Sequence, residues 1–145
     1  MVRRTFVLEA ELVGFEGVRR TLAARDDATL VDLHYALQST FGWDDDHLYS
    51  FWLDGDFWAP QCSAYLHPAH ATSADMHCKS ACAPLAELDL ERGQDIAYVF
   101  DFGNEWRVRL TVADVTAGDL HASVQIVDAA GAAPPQYADV HARYL

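Results

Sequence analysis

No stretch of this 145-residue sequence approaches the roughly 20 consecutive apolar residues that cross a bilayer, so no membrane is expected as a partner. Positive charge is scarce. Ten lysines and arginines stand against 22 aspartates and glutamates, a formal charge of −12. That imbalance favours solubility and opposes non-specific binding to nucleic acid. The three cysteines, Cys62, Cys78 and Cys82, are odd in number, which argues against a disulfide framework. Also missing are a glycine-rich phosphate loop, a recognisable nucleophile and a paired acid and base, so a non-enzymatic role is favoured. Met1-Val2-Arg3-Arg4 leads straight into an alternating pattern, without the apolar run of a signal peptide, and a cytoplasmic location is expected.

Apolar residues, in contrast, make up 51% of the chain. At this length the expectation is a single domain over 1–145, burying roughly two thirds of its unfolded surface. The most ordered pattern is YVFDFGNEWRVRLTV, Tyr98 to Val112. Ile96, Tyr98 and Phe100 share one face of a first run, and Trp106, Val108, Leu110 and Val112 one face of a second. The intervening Asp101, Gly103 and Asn104 suit a turn, with Gly103 as the residue expected at positive φ.

Elsewhere, Thr5 to Leu12 alternates as a half-buried strand. Val18 to Ala23 follows as a poorer one, and Arg20 within it suits a sheet edge or a polar surface beside the core. One helix is well specified. Thr29 caps it with Asp32 three residues on, Leu30, Leu33, Leu37 and Phe41 form its apolar stripe, widened by His34, and Gly42 ends it. Leu48 to Leu53 starts a third strand, and Asp54-Gly55 should fold Phe51–Leu53 back on Asp56–Trp58. Residues 60–84 follow neither period and form an irregular excursion. Leu85 to Leu90 is a short apolar segment, and Ala122 to Val127 makes a last strand. The fold class expected is α+β: an antiparallel sheet of hairpins with one helix across it, in the order β-β-α-β-β-β-β-β.

Four separated runs carry a resemblance. They are Val18-Arg19-Arg20, TLVDLHYALQSTFGWDDDHLYSF from Thr29 to Phe51, YVFDFGNEW from Tyr98 to Trp106, and APPQY from Ala133 to Tyr137. In these the chain resembles the Ri-plasmid open-reading-frame-three-like family, whose members are also labelled insertion-element passenger or TnpR-like proteins. The resemblance implies a shared fold and an association with plasmids or mobile elements. It implies no recombination chemistry, since nothing matches a serine or tyrosine recombinase site. The family's hairpin typically reads Asp-Phe-Gly-Asp-x-Trp with a histidine soon after. Here Asn104 replaces the second Asp, and Arg107-Val108 occupy the histidine region.

Three groups of residues are candidates for chemistry. His47, after Asp44-Asp45-Asp46, could join Asp101, Asn104 and Glu105 in a small polar site if the turns converge. Cys62, His67, His70, His77, Cys78 and Cys82 fall within the excursion and are the ligand types zinc prefers; their spacings are not those of a finger, and ordinary loop residues are the simpler reading. Arg19 and Arg20 could form a basic patch on an otherwise acidic body. The leading function is a binding or interaction module for a protein or small-molecule partner. The alternatives are a zinc protein, conceivably a hydrolase, and a DNA-associated accessory factor.

Overall fold

The computed structural model describes residues 3–59, 64–68, 79–118, 120 and 122–136. Side-chain alternation builds most of it. In β1 (Arg4–Leu12), Phe6, Leu8, Ala10 and Leu12 are buried while Glu9 and Glu11 face solvent. β1 pairs antiparallel with β2 (Arg19–Arg25) on one side and with β7 (Trp106–Ala117) on the other. β7 also pairs with β6 (Asp95–Phe100) in the expected hairpin, with Tyr98 opposite Val108 and Phe100 opposite Trp106. β3 (Tyr49–Trp52), β4 (Ala64–Leu66) and β5 (Lys79–Ser80) extend the sheet beyond β6, and β8 (Val124–Ala130) closes it beyond β2. The order across the sheet is β5-β4-β3-β6-β7-β1-β2-β8.

The α+β expectation is corrected by this sheet. Among the described residues, eight strands in one sheet against one α-helix make the fold mainly β, and the parallel β4–β5 pairing makes the sheet mixed. The opening order β-β-α followed by strands does hold. The helix, α1 (Leu30–Phe41), has the anticipated ends. Thr29 accepts from the Asp32 amide, Asp32 accepts from the Thr29 amide, and Gly42 stops the helix at φ 74°. Its stripe of Leu30, Leu33, Leu37 and Phe41 joins Phe6, Leu8, Leu22, Ile96, Tyr98 and Val108 in one core.

Further differences have local causes. Asp56–Trp58 is a turn and not a returning strand, because both edges of β3 are taken, by β4 and β6. Trp58 stands at φ 60°, a value a strand cannot use. The excursion 60–84 contributes β4 and β5, Leu85–Glu87 is a turn of 3-10 helix, and the last strand runs Val124–Ala130 rather than from Ala122. β2 is not an edge, since β8 covers it. Arg20 accordingly turns inward. It is 7% exposed, donates to the carbonyls of Arg19, Thr40, Ala130 and Gly131, and lies over the Phe41 ring. It therefore pins β8 and the helix C-terminus together, and only Arg19 of the expected basic pair faces solvent. Trp106 is half-buried, against Phe15 and Trp43.

Gly103 does not carry the positive φ expected of it; Asp101 (62°) and Glu105 (53°) do. The glycine the backbone demands is Gly131, at φ 77°, where a Cβ would collide with the Gly17 carbonyl. Gly131→Ala should therefore cost about 1–3 kcal/mol of stability. Gly103→Ala, exposed and meeting only Asp101 Oδ1 at 3.6 Å, should stay within about 0.5 kcal/mol. Urea unfolding of both variants checks the pair, and equal losses would contradict it.

Candidate functional site

The site grows from the loop 43–48 that follows Gly42. Trp43 anchors its start, 5% exposed and stacked on Phe41 and Phe100 with ring centroids 5.0 and 5.5 Å away. Tyr49, buried at the head of β3, anchors its end. Between them Asp44 to Leu48 are exposed, yet the loop is tied down at three points. Asp45 Oδ1 lies 2.8 Å from His34 Nε2 on the helix. His47 Nε2 lies 3.4 Å from Asp101 Oδ2, and the Asp101 amide donates to the Leu48 carbonyl. Gln136 accepts from the Asp44 amide and donates to the Asp44 carbonyl and the Asp46 carboxylate.

The first tie leads inward to a buried polar chain. His34 is 1% exposed and stacks on Tyr49 at a 3.6 Å centroid distance. Its Nδ1 lies 2.7 Å from the Tyr98 hydroxyl, which also receives the Gln38 amide at 3.1 Å. A carboxylate only accepts, so Nε2 carries the hydrogen that goes to Asp45. Nδ1 is then bare, and Tyr98 gives it a hydrogen while accepting from Gln38. Burial pulls the His34 pKa below its ordinary value and outweighs the opposing pull of Asp45, so the ring is neutral. Burial pushes the Tyr98 hydroxyl well up, which keeps it a donor. It pushes Tyr49 up as well.

The second tie leads to the hairpin turn. Asp101, 4% exposed, takes the Asn104 backbone and side-chain amides at 3.3 and 2.9 Å. Glu105 closes the turn by donating its amide to the Asp101 carbonyl. Its carboxylate meets Arg107, and this bond, with a lesser contribution from Trp58, holds its pKa down. Trp58 is 42% exposed and packs edge-on against Phe102, with centroids 5.1 Å apart. Among the described residues, four non-glycine residues have positive φ, and three of them (Trp58, Asp101 and Glu105) meet at this corner. Such backbone strain gathers where the surroundings hold it in place for a purpose.

Of the residues singled out in the sequence, His47, Asp101 and Asn104 do come together, whereas Glu105 turns away to Arg107 and Trp58. Cys62, His70, His77 and Cys78 lie outside the described residues. His67 packs edge-on to Tyr49, and Cys82 is exposed. Among the described residues no group of three or more His, Cys, Asp or Glu is placed to hold a metal. The sequence reading missed His34, Gln38 and Tyr98 as a polar unit. The signal was present: His34 and Gln38 sit one turn apart on the stripe that faces the core, where polar atoms need partners.

The fold and site thus define a mainly-β protein, an eight-stranded sheet under helix α1, with a loop-built polar corner. Residues 4–144 match the family described as plasmid pRiA4b ORF-3-like protein, and the chain belongs to that family. It is also similar to the crystal structure of a protein of unknown function, MM3350, from Methanosarcina mazei Go1. That likeness has a TM-score of 0.71 at 19% identity over 94% of this chain and 74% of that one, and is one of fold. No curated protein matches the chain. Three of the four runs on which the family resemblance rests supply His34, Gln38, the 43–48 loop, Tyr98, Asp101, Asn104 and Gln136, so they meet in one place.

Two consequences are measurable. Tyr98→Phe strands His34 Nδ1 and the Gln38 amide in the core and should cost about 1–3 kcal/mol in urea unfolding. Unfolded, a histidine titrates near 6.5, and folded His34 takes its proton less readily. Below pH 6.5 the unfolded chain then binds more protons, so this contribution to stability is complete above that pH and is lost as the pH falls through it. A His34→Asn variant should lose less stability between pH 7.5 and about 5.5 than the parent; equal losses would place the linkage elsewhere.

Proposed function

We propose that the protein is a binding or interaction module whose contact surface is the corner formed by Trp58, Phe102, Asn104 and His47. One observation carries this reading. An indole 42% exposed to water is set on a backbone at φ 60° and fixed against Phe102 and Trp52. Half-exposed, Trp58 returns little to the core for that strain. A partner that covers it gains the apolar area the indole leaves exposed, as buried tryptophans do at interaction hot spots. At the same hairpin turn His47 and Asn104 are both held by Asp101 and offer polar groups.

The partner is a protein segment or a small molecule that presents an apolar or aromatic group to the indole. Family membership joins the protein to plasmid-borne relatives without adding a chemistry. Binding to DNA through Arg19 and Arg20 is the weaker reading, because Arg20 is buried and its Nε and Nη1 already donate to carbonyls.

A nitrogen-15 NMR screen of the full chain against small molecules and short peptides tests the reading. Hits should shift the Trp58 indole N–H and the amides of Gly103 to Glu105. Trp58→Gly, which tolerates the local φ, should stay folded and bind those hits at least tenfold more weakly, about 1.4 kcal/mol. Hits that map to another surface, or that bind Trp58→Gly as well as the parent, would overturn it.

A further inference from the structure

We propose that the chain Asp45–His34–Tyr98–Gln38 is a two-state proton latch on the loop that carries His47. The Tyr98 hydroxyl stands at its centre and has one hydrogen to give. With His34 neutral, that hydrogen goes to Nδ1 and the oxygen accepts from Gln38 Nε2. With His34 protonated, both ring nitrogens donate. Tyr98 must then accept from Nδ1 and turn its own hydrogen elsewhere. The acceptor is Gln38 Oε1, a buried oxygen that has no hydrogen-bond partner in the neutral state. Half a turn of the Gln38 amide brings Oε1 to where Nε2 stands. The balance is simple: one proton moves from solvent to His34, the hydroxyl proton stays on Tyr98, and no covalent bond other than that new N–H changes.

The groups around His34 set the direction. Asp45, on the loop and open to solvent, favours the proton; His67, beyond β4, opposes it with its own charge. Tyr49 of β3 stacks on one ring face, and Tyr98 of β6 and Tyr35 of the helix lie tilted to the ring. Cys82 acts on Tyr49 at one remove. Burial keeps the neutral state dominant at pH 7. Once His34 is charged, its bond to Asp45 becomes charge-assisted on both sides and grips the loop more tightly. His47 is two residues further along that loop. If the corner is the contact surface proposed above, a ligand there and a proton on His34 affect one another reciprocally.

The test is an NMR pH titration of the full chain, labelled at histidine nitrogens and backbone amides, with no ligand added. At pH 8 His34 should carry its hydrogen on Nε2 alone. On acidification the His34 Nδ1 signal, the Gln38 side-chain amide and the backbone amides of Asp45 to His47 should shift with one midpoint. The shared midpoint should persist in His47→Gln and His67→Asn, and Asp45→Asn should move it to lower pH. A silent Gln38 amide, or a loop response that vanishes in His47→Gln, would overturn the latch. So would a chain that unfolds before His34 takes up a proton, since it has no second state. None of these readouts involves Trp58, so the latch and the contact surface fail separately.

Discussion

A histidine buried on the core side of helix α1 must satisfy two ring nitrogens, and much of the molecule follows from how it does so. One nitrogen reaches across the sheet to Tyr98; the other reaches out to Asp45. The chain leaving the helix is therefore drawn back over its own C-terminus instead of running on into solvent. That placement sets His47 against Asp101 and allows Gln136 to close the loop from the far side. A loop of six residues, with exposed aspartates at its centre, is thus positioned by buried atoms. Its acidic residues lie at the negative end of the helix dipole, an unfavourable place that the hydrogen bonds offset.

Arg20 does comparable work at the other end of the sheet without a carboxylate. Four carbonyls and an aromatic face take up its guanidinium. The carbonyl of Thr40 belongs to the last turn of α1, where unsatisfied acceptors and the dipole favour a cation. The helix is accordingly fixed by polar side chains on both flanks, through Arg20 towards β8 and through His34 and Gln38 towards β6. Its apolar stripe supplies burial between them. Fixing the helix in this way fixes the direction in which the 43–48 loop departs.

The corner at Trp58 is of another kind. Its backbone departs from the easy conformations at three residues, and its indole stays in view of solvent. Asp101 can occupy the left-handed region because its side chain bonds the turn amides; Glu105 is held there by the Asp101 carbonyl and by Arg107. A rigid hairpin carrying a strained tip is a common way to present a contact group, since the sheet below absorbs the strain.

The helix, its two caps, strand β1 and the Tyr98 hairpin were legible in the residues, because each depends on neighbours within one turn or one pleat. The Asp101–Asn104 half of the site was legible for the same reason, as a short turn. What the sequence could not decide lies between elements. Whether Asp56–Trp58 returned as a strand depended on β4 already occupying the edge of β3. Whether Arg20 was a surface cation or a buried clamp depended on β8 arriving from a hundred residues away. Whether His34 was part of an apolar stripe or the head of a polar chain depended on Tyr98, 64 positions on, facing it across the core. Periodicity reports which side of an element is dry; only the assembled sheet says which distant atom a buried polar group will meet there.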